Sequence, residues 1–295
     1  MKILSGKIIS EEIRNELKKE VDNLSTEGIK VTLAVILVGD DPASHVYVSH
    51  KEKGCAAMGV QSIVERLPEE TTEEDLLRLV QDLNERKDID GILCQVPLPP
   101  QIDPQKVIEM IDPMKDVDCF HPYNLGLLTA GAPRFMPCTP FGVLQILKRS
   151  GYSTSGKNVV ILGRSNIVGR PLSILLSLKG WDATVTLCHS RTKNIEKICR
   201  SADILVAAIG IPHFVSDDFV KKNAVVIDVG VNRIDDPNHP KGTRLVGDVD
   251  FEAIKEIAEA ATPVPGGVGP MTISMLLYNT INAARLRNGK TTFEL

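Results

Sequence analysis

Apolar and polar positions along the chain follow two periods, and these periods predict helices and strands. In residues 10–25 apolar side chains recur at helical spacing, which indicates a helix with Ser10 as its cap. Residues 31–38 form a β-branched apolar run that ends at Gly39, which is typical of a buried strand. The same reasoning predicts helices over about 43–58 and from Thr71 or Thr72 onward, and strands near 62–65 and 91–95. Strands that alternate with helices indicate a parallel sheet covered by helices.

The second half of the chain repeats this alternation after an irregular stretch. From Asp112 to Gly142 the segments are short and interrupted by Pro and Gly, which predicts loops and a crossing between domains. From Lys157 onward the pattern predicts strands at 159–162, 184–187, 204–207 and 225–229, and helices over about 168–179 and 272–285. The pattern alone is compatible with the last helix belonging to either domain.

One stretch, residues 260–284, carries no charged side chain and is long enough to span a bilayer. The prolines and glycines between Pro263 and Pro270 would break a membrane-spanning helix near its start. The uninterrupted remainder is too short and contains two asparagines. We therefore expect a functional loop followed by a buried helix, and no membrane as a partner.

Composition limits the class of protein further. At 295 residues, 43% hydrophobic and 24% charged, the chain has the composition of a globular protein of about two domains. The formal net charge of -4 provides no overall positive field for a nucleic acid. The six cysteines form no Cys-x-x-Cys pair and no zinc-ligand spacing with histidine, so we expect reduced thiols and no metal. The first residues lack the features of a signal peptide, which predicts a cytoplasmic location.

The predicted strand 159–162 runs into a turn and then a helix, the setting of a dinucleotide-binding loop. The glycine fingerprint is degenerate, because Ser165 stands at the second glycine position and Gly169 comes one residue late. On this loop alone, nucleotide binding and an ordinary strand-to-helix turn are about equally supported. The next strand ends without an acid and is followed by Ser190 and Arg191, which favours the 2′-phosphate of NADP over NAD. Arg164 is a second candidate for that phosphate.

The first half of the chain contains a candidate acid/base group. Ser44, Tyr47 and Lys51 lie within about 60° of one another on a helix, so they share one face. A lysine acts as an acid or base near neutral pH only when burial or neighbouring charge lowers its pKa. Taken alone, a Tyr–Lys pair on a helix is more often part of a solvated surface.

Polar groups also follow the strand near 91–95 and a later turn. Gln95 lies at the carboxyl end of that strand, which is the usual ligand side of an open α/β sheet. Asp116 and Asp118 lie next to a turn. In isolation, each would be read as a capped strand end or a solvated turn.

Together, these segments resemble the bifunctional methylenetetrahydrofolate dehydrogenase/cyclohydrolase family across nearly the whole chain. The matching segments, in family order, are Ser44-x-x-Tyr47-x-x-x-Lys51, Gln95-Val96-Pro97-Leu98-Pro99, Lys115-Asp116-Val117-Asp118, Pro137-Cys138-Thr139-Pro140-x-Gly142, Gly163-Arg164-Ser165-x-x-Val168-Gly169-x-Pro171, Asp228-Val229-Gly230, Gly247-Asp248-Val249 and Pro265-Gly266-Gly267-Val268-Gly269-Pro270-Met271-Thr272. The last of these and the Gly-Arg-Ser segment are distinctive, so a chance resemblance is improbable.

The resemblance implies an α/β fold of two domains with a cleft between them. A parallel-sheet folate-binding catalytic domain would comprise residues 1–140 plus 272–295, and a Rossmann-type NADP-binding domain residues 141–271. The implied enzyme oxidises 5,10-methylenetetrahydrofolate with NADP to the 5,10-methenyl compound and hydrolyses that compound to 10-formyltetrahydrofolate. A homodimer is also implied.

The resemblance further implies roles for individual residues. The implied catalytic residues are Lys51 as the general acid/base of hydrolysis, Gln95 holding it, Tyr47 packing against the substrate and Asp118 binding the pterin. The implied substrate-binding residues are Ser44, Tyr47, Val96, Pro97, Leu98, Asp118, Pro265, Gly266 and Gly267. The implied cofactor-binding residues are Gly163, Arg164, Ser165, Val168, Gly169, Ser190, Arg191 and Val231.

One position departs from the family pattern, because Cys119 stands where the family usually has glycine. If that position needs a positive φ, a side chain there would strain the loop that carries Asp118 and leave a modifiable thiol near the cleft. The alternative function is therefore a dehydrogenase with weak or absent cyclohydrolase activity. A catalytically silent NADP-binding regulatory module is a further alternative, against which the presence of Lys51, Gln95 and Asp118 argues.

Overall fold

The computed structural model describes residues 1–237, 239 and 242–295 and divides into two compact units. We call Glu12–Cys138 with Ile273–Leu295 the three-stranded unit, and Met1–Glu11 with Thr139–Thr272 the six-stranded unit. The described strands are β1 (Lys2–Ile3), β2 (Thr32–Val38), β3 (Gln61–Leu67), β4 (Gly91–Cys94), β5 (Asn158–Leu162), β6 (Thr184–Cys188), β7 (Ile204–Ala207), β8 (Val225–Asp228), β9 (Asn232–Asp235), β10 (Thr243–Val246) and β11 (Ala260–Ala261). The described α-helices are α1 (Gly6–Thr26), α2 (Pro42–Met58), α3 (Glu73–Glu85), α4 (Pro104–Met110), α5 (Pro122–Thr129), α6 (Cys138–Arg149), α7 (Gly169–Ser177), α8 (Ile195–Cys199), α9 (Phe251–Ile254) and α10 (Val268–Arg287).

The three-stranded unit is built around a parallel sheet in the order β3-β2-β4. All seven residues of β2 are buried, as expected for the central strand of a sheet covered on both faces. Helix α3 begins at its N-cap Thr72, whose hydroxyl accepts a hydrogen bond from the Asp75 amide. Its buried side chains Leu76, Val80 and Leu83 pack with the sheet residues in one hydrophobic cluster. The spacing of these three residues places them on one helix face, which burial against the sheet stabilises.

The six-stranded unit contains a parallel sheet in the order β1-β11-β8-β7-β5-β6. Every residue of β7 and β8 is buried, so these strands form the centre of the unit's core. The antiparallel pair β9–β10 forms a separate small sheet. Carboxyl ends of neighbouring parallel strands lie at one edge, which brings the loops after β5, β6, β7 and β8 together.

Most of the predicted elements are confirmed, with ends that differ by a few residues. Helix α1 is an exception at its start, because it begins at Gly6 and Ser10 is a buried residue within it rather than its cap. The Ser10 hydroxyl instead donates to the Pro270 carbonyl. Residues 112–142 are also not all loop, since they contain α5 and the start of α6. In α5, Pro122 occupies the first helical turn, where proline is favoured, and the His121 side chain caps the Tyr123 amide.

The first eleven residues differ from the predicted domain division. The sequence analysis placed them in the folate-binding domain, whereas in the structure they pack within the six-stranded unit. Strand β1 pairs with β11, and the Lys7 amide donates to the Gly266 carbonyl. Within the described residues, no helix is long and apolar enough to cross a membrane, and the charge-free stretch 260–284 contains β11, a loop and most of α10.

Candidate active site

Helix α2 carries the first group of predicted site residues. It begins after Asp41, whose carboxylate accepts the Ser44 amide at 2.7 Å, and it ends at Gly59, which adopts a left-handed conformation. Tyr47 is half exposed, while Ser44 is buried and its hydroxyl has no hydrogen-bond partner among the described residues. A buried polar atom without a partner is uncommon, so the Ser44 hydroxyl is available to a ligand.

Lys51 and Gln95 meet in the three-stranded unit. The Lys51 ammonium donates to the Gln95 Oε1 at 2.8 Å, and the Gln95 amide nitrogen donates to the Val96 carbonyl at 2.6 Å. The Gln95 backbone amide donates to Ile36 in the central strand, which fixes the residue at the end of β4. Because both ends of the Gln95 side-chain amide are engaged, its oxygen is held toward Lys51.

The segment after α4 lies beside β4 and carries Asp118. The Ile92 amide donates to the Lys115 carbonyl at 2.8 Å, and Ile92 pairs with Asp116 in a parallel bridge. Val117 approaches β4 at Gly91, where a Cβ would lie 2.7 Å from a Val117 methyl carbon. Glycine is therefore required at Gly91 for this approach.

The two acids of this segment have different environments. Asp116 is buried and accepts hydrogen bonds from the Phe120 amide, the His121 amide and the Asn124 side chain. Its role is to hold the turn that follows. Asp118 lies close enough to Lys51 for the two charges to shift each other's pKa. Residue chemistry alone did not distinguish the two acids, and only the family resemblance gave a role to Asp118 and none to Asp116.

Burial sets the electrostatics of this group. It lowers the pKa of the Lys51 ammonium below its ordinary value, and the Asp118 carboxylate opposes that shift. Burial likewise raises the pKa of Asp118, against the opposing effect of Lys51. Burial also raises the pKa of the Cys55 and Cys94 thiols to about 12, so both thiols stay protonated near neutral pH. Lys51 therefore lies in a weakly solvated site with one carboxyl group near it.

Cys119 has the positive φ that its position suggested. Its φ is 60°, the left-handed region that glycine adopts without strain. The expectation of an accessible thiol is wrong, because the side chain is fully buried and its sulfur lies 3.3 Å from the Phe135 carbonyl. Burial also raises the pKa of this thiol. The cysteine is thus an unreactive buried group in a strained backbone conformation.

The loop after β5 has the geometry of a dinucleotide-binding turn. Gly163 has a φ of 111°, and a Cβ there would lie 2.1 Å from the Ala208 carbonyl oxygen. A Cβ on Gly169, the first residue of α7, would lie 2.0 Å from the Gly163 carbonyl oxygen. Ser165, at the second glycine position, accepts the amides of Val168 and Gly169 through its hydroxyl. The degenerate fingerprint therefore still gives close strand–helix packing, and the serine holds the turn before the helix.

The predicted phosphate-binding residues follow adjacent strand ends. Leu162 pairs with Cys188 in the sheet register, so Arg164 and Arg191 come from neighbouring loops. Arg164, Ser190 and Arg191 are all exposed. Among the described residues, neither arginine forms an ion pair, which leaves both guanidinium groups available to an anion. Val231, another predicted cofactor contact, is also exposed just after β8.

Two buried carboxyl groups hold the neighbouring loops, a role that the sequence analysis did not assign to them. Asp228 at the end of β8 accepts hydrogen bonds from the amides of Gly230, Asp248 and Val249. Asp248 accepts the amides of Ile209 and Gly210 and the side-chain amide of Asn232. A Cβ on Gly247 would lie 1.7 Å from an Asp228 oxygen, and one on Gly230 would lie 2.1 Å from an Asp248 oxygen. In the sequence, only the glycines next to the aspartates in the segments Asp228-Val229-Gly230 and Gly247-Asp248-Val249 could have suggested that each aspartate packs against the glycine of the other segment.

The remaining predicted substrate residues belong to different units. Val96, Pro97 and Leu98 follow Gln95 in the three-stranded unit, and the Val96–Pro97 bond is cis. Pro265, Gly266 and Gly267 lie in the six-stranded unit. There Gly267 is packed so closely that a Cβ would lie 2.5 Å from the Pro263 carbonyl oxygen.

Comparison with known proteins identifies the family. A model described as the tetrahydrofolate dehydrogenase/cyclohydrolase catalytic domain matches residues 4–118. The model of the NAD(P)-binding domain of the same proteins matches residues 137–288. The chain belongs to the tetrahydrofolate dehydrogenase/cyclohydrolase family. It is therefore an enzyme, and the predicted pairing of a catalytic domain with a nucleotide-binding domain is confirmed.

Individual dehydrogenase/cyclohydrolases are similar to the chain over nearly its full length. The bifunctional protein FolD of Acetivibrio thermocellus is 52% identical over 286 residues, which is 97% of this chain and 98% of that protein. The crystal structure of the bifunctional FolD dehydrogenase/cyclohydrolase from Campylobacter jejuni has a TM-score of 0.92 at 45% identity, covering 97% of this chain and 99% of that one. The Trypanosoma brucei enzyme, solved with NADP and an inhibitor, has a TM-score of 0.91 at 41% identity, covering 96% of this chain and 97% of that one.

Proposed function

We propose that the Lys51, Gln95 and Asp118 group carries the hydrolytic step of this enzyme and binds its folate. The chain oxidises 5,10-methylenetetrahydrofolate with NADP and hydrolyses the 5,10-methenyl product to 10-formyltetrahydrofolate, the two activities of its family. We assign folate binding to the three-stranded unit and NADP binding to the six-stranded unit. The observation that carries the proposal is the 2.8 Å hydrogen bond between Lys51 and Gln95 in a site where burial lowers the lysine pKa.

The hydrolytic step needs a group that moves protons beside a cation. The methenyl compound carries a positive charge, so an ammonium ion close to it would be repelled. A lysine with a lowered pKa is neutral in a larger fraction of molecules, and the neutral amine accepts a proton from the attacking water. The resulting ammonium returns this proton to the nitrogen whose bond to the former methenyl carbon breaks as the ring opens. The hydroxyl proton of the adduct leaves to solvent as the formyl carbonyl forms, so one proton is released overall with 10-formyltetrahydrofolate. Gln95 holds the Lys51 nitrogen in place, and Asp118 binds the pterin ring.

The oxidative step makes different demands on the chain. NADP, when bound, accepts a hydride from the methylene bridge of the folate. No protein group must move a proton in that transfer, so the chain contributes mainly by orienting the two ligands. The close packing at Gly163 and Gly169 fits a dinucleotide-binding turn. The guanidinium groups of Arg164 and Arg191, which form no ion pair among the described residues, fit the 2′-phosphate. Tyr47, exposed on the same helix as Lys51, packs against the folate in this proposal.

Replacing Lys51 by methionine separates the two steps. Positioned acid/base catalysis contributes ~10²–10⁴-fold, so K51M is expected to lose cyclohydrolase activity by about that factor. Dehydrogenase activity is expected to fall much less, because the apolar stem remains in place. Methenyltetrahydrofolate then accumulates, and its absorbance measures both rates on one preparation. Lys53→Met, an exposed residue on the same helix, is the matched control.

Two results of this experiment would contradict the assignment. Unchanged hydrolysis in Lys51→Met would remove the lysine from the catalytic role. Equal loss of both activities would mean that Lys51 binds substrate and does not transfer protons. Thermal unfolding of both variants shows whether either result comes from loss of the fold.

We also infer a homodimer in a reducing, cytoplasmic compartment. The six cysteines are all free thiols, which supports the compartment. The dimer is an expectation from the family, and sedimentation equilibrium at micromolar protein tests it. A monomeric mass across that concentration range would reject it.

A further inference from the structure

Asn279 is a fully buried amide in the middle of helix α10, and its contacts all lead to the segments that carry Asp118 and Cys138. Its side-chain nitrogen donates to the Val117 carbonyl at 2.7 Å and to the Met136 carbonyl at 2.8 Å. The same nitrogen lies 3.7 Å from the Cys138 sulfur. Both amide protons therefore have acceptors, and neither acceptor belongs to the helix itself.

These contacts fasten two short segments to each other. The Cys138 thiol lies 3.5 Å from the Val117 carbonyl, and the Cys119 thiol lies 3.3 Å from the Phe135 carbonyl. Residues 117–119 thus run beside residues 135–138, with Asn279 bonded to both. Asp118 lies between Val117, which Asn279 holds, and Cys119, which adopts a left-handed conformation. A backbone in that conformation persists only when its surroundings hold it.

Helix α10 also packs against the helix that carries Lys51. At Gly54, one turn after Lys51, a Cβ would lie 3.0 Å from an Ile273 methyl carbon and 3.7 Å from a Leu277 methyl carbon. One rigid helix therefore contacts α2 through Ile273 and Leu277 and the Asp118 segment through Asn279. Because the two contacts are less than two helical turns apart, α10 sets the spacing between the lysine and the carboxyl group.

We propose that Asn279 is a positioning residue that holds Asp118 in the geometry needed to bind the folate. The inference rests on the proposed function of Asp118. Asn279 does not touch the substrate in this proposal; it acts by fixing the Val117 and Met136 carbonyls. Asn282 provides a matched comparison on the same helix, because it is also buried but bonds to Phe293 near the carboxyl terminus.

The test is a double-mutant cycle with Asn279→Ala and Asp118→Asn. Binding of tetrahydrofolate, which lacks the reacting carbon, is measured by calorimetry without oxygen, and NADP binding is measured on the same preparations. Removal of the side-chain hydrogen bonds to Val117 and Met136 is expected to weaken tetrahydrofolate binding about tenfold in Asn279→Ala. NADP affinity is expected to stay within about twofold of the wild type in that variant. In Asn282→Ala, the affinities for both tetrahydrofolate and NADP are expected to stay within about twofold. In the Asp118→Asn background, Asn279→Ala is expected to have no further effect on tetrahydrofolate binding.

The results that would contradict the proposal differ in what they reject. The positioning role would be overturned if Asn279→Ala bound tetrahydrofolate as tightly as the wild type, or if Asn282→Ala lost as much tetrahydrofolate affinity. It would also be overturned if Asn279→Ala weakened tetrahydrofolate binding in the Asp118→Asn background as much as it does in the wild type. Unchanged binding in Asp118→Asn alone would instead reject the proposed function of Asp118. If Asn279→Ala does not fold, Asn279→Ser, which keeps one donor, replaces it. Failure of both to fold while Asn282→Ala folds would make Asn279 a residue of the fold and overturn the inference.

Discussion

At the scale of single residues, environment decides which of several similar side chains are available for chemistry. Lys51 and Lys115 are both partly or fully buried lysines whose pKa burial lowers. The Lys115 ammonium, however, donates to the carbonyls of Leu83, Asn84 and Arg86 and so caps the end of α3. Lys51 donates to a side-chain amide in the site. Among the described residues, the hydrogen bonds of Lys115 are therefore structural, whereas Lys51 bonds to the proposed site residue Gln95.

Arg191→Ala tests the cofactor preference at this scale. The exposed guanidinium has no carboxylate partner among the described residues, and we propose that it makes a charge-assisted contact with the 2′-phosphate of NADP. NADP binding is expected to weaken by about 1.5–3 kcal/mol, while NAD binding changes little. Fluorescence titration with both cofactors measures the difference, and Lys193→Ala, an exposed residue two positions on, is the control. If Arg191→Ala weakened the binding of NADP and NAD equally, Arg191 would not be the residue that recognises the 2′-phosphate. Arg164→Ala would then be the next variant to measure.

Cys119→Gly tests the strained position next to Asp118. Glycine removes the cost of a left-handed conformation, about 1–2 kcal/mol, but also loses a buried thiol. We expect tetrahydrofolate to bind as tightly as in the wild type or more tightly, with NADP binding unchanged. If the folate affinity of the variant falls clearly, the loop accommodates the cysteine and the strain argument is wrong. Cyclohydrolase activity of the wild type decides the alternative of a dehydrogenase with little hydrolysis.

At the scale of elements, the corner between β5 and α7 shows how close packing replaces a standard glycine fingerprint. Gly163 turns the chain beside Ala208, and Gly169 lets the helix begin against the carbonyl of Gly163. The Ser165 hydroxyl accepts the amides of Val168 and Gly169 and so holds the turn that leads into α7. The geometry of the corner therefore depends on the absence of a Cβ at Gly163 and Gly169 and on the hydroxyl group of Ser165.

Gly169→Ala is expected to disturb this corner specifically. The added methyl group would lie 2.0 Å from a backbone oxygen, which must move because no flexible side chain can give way. Overpacking of this kind costs about 1–3 kcal/mol, so NADP affinity is expected to fall about tenfold or more. Gly126→Ala in helix α5, where a Cβ meets nothing within 4 Å, is the control. Wild-type NADP affinity in Gly169→Ala would show that the corner has room to adjust.

At the scale of the whole molecule, buried carboxyl groups are expected to dominate the dependence of stability on pH. Exposed pairs such as Lys221–Asp203 contribute little, because solvent screens them. Burial raises the pKa of Asp228 to about 7, although three backbone amides oppose the shift. In the unfolded chain the same group titrates near 4. Between about pH 4 and 7 the folded state thus keeps a proton that the unfolded state releases, and the stability from Asp228 falls as pH rises.

Urea unfolding of the wild type and Asp228→Asn at pH 5, 6, 7 and 8 measures this effect. The wild type is expected to exceed the variant in unfolding free energy by more at pH 5 than at pH 8. Asp203→Asn is the control of opposite sign, because hydrogen bonding to Lys221 lowers the pKa of Asp203. The difference for that variant is expected to be constant over the same range. A constant difference for Asp228→Asn as well would place the Asp228 pKa outside this window.

Local pattern determined most of the regular elements of this protein. Periods of apolar residues predicted the central strand β2, the helices α2 and α3 and the strands β5 to β8 within a few residues. The apolar residues that these elements bury follow one another at regular spacing in the sequence, so no distant contact is needed to recognise them. Short helices that begin at a proline, such as α5, were not predicted, because proline was taken only as a sign that a helix or strand ends.

Motif spacing and the family resemblance named the candidate residues, and the tertiary structure supplied the environment of each. Asp116 and Asp118 are two positions apart and chemically alike, yet Asp116 caps a turn while Asp118 and Lys51 shift each other's pKa. Residues 1–11 joined the six-stranded unit because β1 pairs with β11, more than two hundred positions away in the chain. Asn279 bonds to Val117 across 162 positions of the chain. Such contacts depend on packing between distant segments, and no local period in the sequence encodes that packing.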